Sequence, residues 1–173
     1  MLYNRIIETL TQNNIPFTEH RHEPVRTSEE AAKVRGSDIN EGAKALIFWA
    51  FKVDGSKSPI QLVLQGSKRV NKEKFLKQNP GFTKIKMVSA EEVLAIAGVE
   101  PGGVPPFGNL FSYRVEPCAI YADLGLLKLE NIEFNAGDKS ISIRMKTKDW
   151  VKSVNPIEID LIEKSLNEEK NTN

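Results

Sequence analysis

The chain has 173 residues, with 24 Lys and Arg against 23 Asp and Glu, so its formal net charge is +1. With 40% apolar and 27% charged residues, it reads as a globular chain of one compact domain rather than a disordered or fibrous one. One cysteine, Cys118, rules out an internal disulfide and a Cys-rich zinc site. Two histidines, His20 and His22, argue against a His-built metal cage, and no metal or cofactor is expected.

The N-terminus, MLYNRIIETLTQNN, carries polar residues every few positions and lacks the apolar core of a signal peptide. Ile6, Ile7 and Leu10 at helical spacing predict a helix over 3–13 that Asn13-Asn14 stops. Pro16, Phe17 and Thr18 suggest a short strand. A second helix is expected from Ser28, capped by Thr27 or Ser28 and ended by Gly36. Lys44–Val53 is apolar on both faces, as a central strand covered on both sides should be. The turn Asp54-Gly55-Ser56 and the returning strand Ile60–Leu64 complete a hairpin. A helix at 72–78 and a strand at 82–88 follow. Ser89-x-x-Glu92 then matches a capping box opening a helix that Gly98 ends. Short strands are expected at Cys118–Tyr121, Ile132–Asn135 and Ile141–Met145, with a turn at Ala136-Gly137-Asp138. Helices are expected at Asp149–Val154 and Ile157–Leu166. The longest apolar run, Ala45–Phe51, has seven residues, whereas a membrane span needs about 20. A cytoplasmic protein without a membrane partner is therefore expected. The domain is placed at 1–166 and a polar tail at 167–173. No repeat or linker divides it, so the fold class is α/β, a single domain with a mixed sheet.

Three features can carry chemistry. Residues 98–108 (GVEPGGVPPFG) hold four glycines and three prolines in eleven residues. Glycine N–H groups in such a loop can cradle a phosphate or a carbonyl oxygen, although a ligand-free crossover has the same composition. No Gly-Lys-Ser/Thr ending marks a phosphate-binding P-loop. Lys44 begins the most apolar strand, where it is either a snorkelling surface residue or a charge at the mouth of a pocket, and Gly42-Ala43 beside it leave room for a ligand. Residues 66–77 carry Lys68, Arg69, Lys72, Lys74 and Lys77 against Glu73, a local net charge of +4. Residues 138–152 reach +3. Such runs usually coat a solvated surface, but they also suit a phosphate backbone. His22 reads as a surface histidine at a strand end, and Cys118 as a small core residue rather than a nucleophile.

Four stretches, Arg21–Val25 (RHEPV), Glu41–Ile47 (EGAKALI), Gly102–Gly108 (GGVPPFG) and Ile132–Gly137 (IEFNAG), together resemble the YbaK/prolyl-tRNA synthetase-associated domain family of aminoacyl-tRNA deacylases. The likeness runs from about residue 3 to residue 160. The wording is most similar to the free-standing branch that clears tRNAs mischarged with small polar residues such as Ser or Thr, and less similar to the branches acting on Cys-tRNA or Ala-tRNA. The resemblance implies a mixed, mostly antiparallel, curved and barrel-like sheet surrounded by helices. It implies hydrolysis of the ester joining an amino acid to the terminal ribose of tRNA. Lys44 would be the family's lysine, and Gly102–Pro106 its glycine-proline loop, with Gly102, Gly103 and Pro106 at the catalytic centre. His22, Asp123, Asn135 and Gly137 would bind substrate, while Lys68, Arg69 and Lys72 would meet the tRNA backbone.

This chemistry needs no protein nucleophile, because an aminoacyl ester is already activated. Water must be positioned and the tetrahedral oxyanion stabilised, roles open to the glycine N–H groups and, through substrate placement, to Lys44. The resemblance also implies help from the substrate's own ribose hydroxyl. The implied partners are mischarged tRNA and an aminoacyl-tRNA synthetase. Two other readings compete: a non-catalytic tRNA- or synthetase-binding module, and a hydrolase of another small ester. Lys44 together with the whole glycine loop favours the editing hydrolase over the pure binder.

Overall fold

The computed structural model describes residues 1–111 and 117–163. Helix α1 (Leu2–Gln12) buries Ile6 and Leu10 on one face and leads to Asn14 at φ 53°, a left-handed position that Asn tolerates. Strand β1 (Phe17–Arg21) follows. Helix α2 (Ser28–Arg35) starts where the Thr27 side chain accepts from the Glu30 N–H at 3.1 Å, and stops at Gly36 with φ 65°. A 3-10 turn, Ile39–Glu41, then feeds the long hairpin β2 (Ala43–Lys52) and β3 (Lys57–Gln65). Next come α3 (Lys72–Gln78), β4 (Phe82–Met87) and α4 (Ala90–Ala97), the last opened by the expected reciprocal Ser89–Glu92 capping box. Beyond the glycine-proline loop lie β5 (Ala119–Asp123), α5 (Leu124–Leu127), β6 (Asn131–Asn135), β7 (Ile141–Lys146), α6 (Thr147–Val154) and β8 (Ile157–Ile159).

The strands form two sheets, β1-β7-β6 and β4-β2-β3-β5-β8, rather than one closed barrel. Four of the six strand pairings are antiparallel; β3–β5 and β5–β8 are parallel. A bridge between Gly42 and Glu133 ties the head of β2 to β6, so the sheets meet where β2 begins. Strand β2 is covered on both faces, as its sequence predicts. Ile47 and Trp49 pack with Val93 and Ile96 of α4, while Phe48 and Ala50 pack with Phe75, Ile85 and Tyr121. Burial of each large apolar side chain contributes roughly 1.5–3 kcal/mol, which makes β2 the fixed element from which the site is hung.

One expected element is corrected. Ile157–Leu166 does not begin as a helix: Ile157–Ile159 is a strand beside β5, and Ile159 and Leu161 are buried while Glu158 is exposed. That period of two satisfies the free edge of β5, and a local helix would leave the edge unpaired. Residues 164–166, and the tail at 167–173, lie outside the described residues. The four-residue α5 was not expected from the sequence. No helix among the described residues is long and apolar enough to cross a membrane.

Candidate active site

A cavity of about 220 Å³ opens where the two sheets meet. Its floor is the head of β2, from Gly42 to Leu46. One wall is Arg26–Ser28 with Ala31, Ala32 and Arg35 of α2; the other is Gly102, Val104, Phe134 and Asn135. Lys44, Gly102 and Asn135, three residues expected at the site from sequence, are thereby brought together.

Lys44 is half-buried at the floor. Its ammonium donates to the carbonyls of Gly66, at 3.1 Å, and Lys68. Burial pushes its pKa below the ordinary lysine value; the Glu29 charge opposes this shift, and the Arg69 charge adds to it. The Arg69 charge thus acts on Lys44, and Lys68 holds the Lys44 ammonium through its backbone carbonyl. Neither forms an ion pair among the described residues, whereas Lys74 of the same stretch is bound to Asp160 at 2.9 Å. Lys72 lies with its ammonium 5.8 Å from the Phe48 ring centroid.

A hydrogen-bonded chain links the two walls. Asn135 donates from Nδ2 to the Gly102 carbonyl, and its Oδ1 accepts from Arg35 Nη2 at 2.7 Å. Arg35 Nε donates to Ser142 Oγ at 2.8 Å, and Ser142 Oγ lies 2.6 Å from His22 Nε2. His22 Nδ1 lies 2.8 Å from the Glu23 carbonyl, which can only accept, so Nδ1 is the donor there. His22 therefore stands behind the wall and reaches the cavity through Ser142 and Arg35. Burial lowers the Arg35 pKa, and the Glu133 charge resists that shift. Glu133, 4% exposed, also accepts from Ser37 at 2.5 Å and Arg144 at 3.1 Å.

Gly102 sits at φ 88°, a conformation that favours glycine, and its N–H has no protein acceptor among the described residues. Gly103 differs: its N–H donates to the Glu100 carbonyl at 3.0 Å, and its carbonyl accepts from the Gly137 N–H at 3.0 Å. Both Gly103 and Gly137 brace the loop rather than line the cavity. Pro106 is buried behind it, its carbonyl accepting from Trp150 Nε1 at 2.9 Å. Asp123, 1% exposed, is not brought to the cavity. Its carboxylate accepts from the N–H groups of Gly125 at 2.8 Å and Leu161 at 2.9 Å, capping α5 and fixing the chain after β8.

The model of the aminoacyl-tRNA editing domain matches residues 22–153, a span that contains every residue lining this cavity. The chain belongs to the aminoacyl-tRNA editing domain family. Membership assigns the reaction class, hydrolysis of aminoacyl-tRNA. The chain is 27% identical over 154 residues to the multifunctional Ser/Thr-tRNA deacylase ProXp-y of Escherichia coli strain K12, covering 89% of each protein. It is 33% identical over 113 residues to a proline–tRNA ligase of Shouchella clausii, covering 65% of this chain but 18% of the ligase. The solved structure of a proposed trans-editing enzyme for prolyl-tRNA synthetase has the same fold, with a TM-score of 0.74 at 23% identity over 94% of this chain and 97% of that one.

Within this editing domain, sequence reading missed Arg35 and Ser142. Arg35 reads as an ordinary C-terminal cation of a helix and Ser142 as the polar member of an alternating strand. Only tertiary packing brings Arg35 of α2 onto Ser142 of β7, behind the cavity wall.

Proposed function

We infer that this editing domain acts as a free-standing deacylase that removes Ser or Thr from mischarged tRNA. The cavity carries the reading: Lys44, the open N–H of Gly102 and the small-walled face of α2 enclose a space suited to a small aminoacyl ester. Water attacks the ester carbonyl carbon. The Gly102 N–H stabilises the oxyanion, and collapse expels the ribose oxygen, which takes up the proton that the attacking water gives up. Lys44 holds the terminal phosphate or ribose and so keeps the ester in register. Lys68, Arg69 and Lys72 guide the tRNA backbone to the mouth. The likeness to part of a proline–tRNA ligase supports a synthetase as partner in trans.

A panel of aminoacyl-tRNAs incubated with the purified protein tests this. Release of Ser and Thr is expected, with correctly charged prolyl-tRNA intact. A protein that binds tRNA yet releases no amino acid would instead be the non-catalytic binding module.

A further inference from the structure

Arg35 holds an unusual position. Only two of its five N–H groups are satisfied, by Ser142 and Asn135; the other three have no acceptor among the described residues, although the side chain lines the cavity and is half-buried. A half-buried guanidinium whose remaining donors face an open cavity can offer them to an acceptor on a ligand that enters it. Ala31 and Ala32 lie four and three residues before Arg35, on the same face of α2, and line the same cavity. Two methyl groups therefore set the size of what fits against this wall, and one guanidinium sets its polarity. Arginine offers donors only, so the ligand group must accept a hydrogen bond. The Glu133 charge already acts on this guanidinium. Among the small side chains of the proposed substrates, the hydroxyl of Ser or Thr is such an acceptor.

We propose that Arg35 is the specificity-determining residue of this site and donates to the side-chain hydroxyl of the seryl or threonyl group, against a wall made small by Ala31 and Ala32. The proposal rests on the deacylase reading. A site built to hydrogen-bond a hydroxyl discriminates against the analogue lacking it, because its donors are then left unpaired. Asn135 and Ser142 hold the guanidinium in place, and neither need touch the substrate.

The test compares seryl- and alanyl-tRNA of the same tRNA, which differ by this hydroxyl, in kcat/KM with the wild-type protein, Arg35→Met and Arg35→Lys. The wild type should prefer seryl-tRNA by at least about tenfold. Arg35→Met should collapse the preference to within about threefold, mainly by slowing the seryl reaction. Arg35→Lys, which keeps the charge but not the fork, should lose at least about threefold of the preference. Thermal melting identifies folded variants; if Arg35→Met does not fold, Arg35→Lys alone decides by its own criterion. An unchanged seryl-to-alanyl ratio in the folded variant, with both reactions slowed equally, would overturn the proposal in favour of a scaffold role. A wild type that hydrolyses both tRNAs equally would also overturn it while leaving the deacylase reading standing. A wild type that hydrolyses no aminoacyl-tRNA would sink that reading and the proposal with it.

Discussion

The two basic stretches, 66–77 and 138–152, look alike in sequence and differ in use. In the second, Lys139 pairs with Glu100 at 2.7 Å, Arg144 with Glu41 at 2.6 Å and Glu133 at 3.1 Å, and Lys146 with Glu130 at 3.3 Å. In the first, Lys74 pairs with Asp160, whereas Lys68, Arg69 and Lys72 have no carboxylate partner among the described residues. Net charge per segment therefore misleads: Lys139, Arg144 and Lys146 of the second stretch brace the scaffold and leave only Lys148 and Lys152 without a carboxylate partner among the described residues, whereas most of the first stretch's charge is open. A phosphate backbone competes poorly for a cation already held by a carboxylate, so the proposed tRNA surface is expected at the first stretch.

The largest effect that probes this division is expected at Gly102, beside the Lys139–Glu100 pair. A Cβ there would lie 3.6 Å from Lys139 Cε, and the φ of 88° strains any side chain. Gly102→Val should lower the single-turnover rate about a hundredfold, as loss of one oxyanion donor costs about 3 kcal/mol. Gly103→Val should mainly lower the melting temperature, because its N–H is already committed to Glu100. A Gly102→Val protein with normal turnover would exclude this donor.

Arg144 tests the bracing role. Arg144→Met leaves the buried Glu133 carboxylate without one of its two hydrogen-bond donors and should cost about 2 kcal/mol of stability. Denaturant unfolding measures it. The salt dependence of tRNA binding should not change; a flattened dependence would move Arg144 into the tRNA surface.

Lys44 lies where the open stretch joins the site. Lys44→Ala removes the donor to the Gly66 and Lys68 carbonyls as well as the charge at the floor. Deacylation should fall at least tenfold, about 1.4 kcal/mol of transition-state binding, in a protein that remains folded. Full activity in the folded variant would end its catalytic assignment.

Legibility in the sequence follows the range of each interaction. Thr27, Ser89, Gly36 and Gly98 act on neighbours within a turn, and the helix ends they predict are where the structure has them. The double apolar face of β2 is equally local in signal, and it marks the central strand. The strand at Ile157–Ile159 needed a partner far away in the chain, and its short alternation was read as part of a helix. The site shows the same division. Lys44, Gly102 and Asn135 stood out through motif wording, whereas Arg35 and Ser142 are 107 residues apart and gain meaning only by touching. Asp123 shows the reverse: the substrate-binding role that the resemblance implies falls on a buried carboxylate engaged by two backbone N–H groups.

The smallest effect discriminates the stretches most directly. Lys68→Glu with Arg69→Glu and, separately, Lys139→Glu with Lys146→Glu make the same change in net charge, so a purely global field would weaken tRNA binding equally in both. If contacts decide, the first pair removes phosphate partners and the second does not. Each lost contact should reduce the slope of log affinity against log salt by roughly one unit. The Lys68/Arg69 variant should therefore bind tRNA more weakly at low salt and converge on the wild type as salt rises. The Lys139/Lys146 variant loses the surface pairs to Glu100 and Glu130, each worth about 0–1 kcal/mol, and should keep the wild-type slope. Equal slopes in the two variants would mean that the tRNA senses the whole molecule's charge, and the distinction between an open and a bracing stretch would not hold.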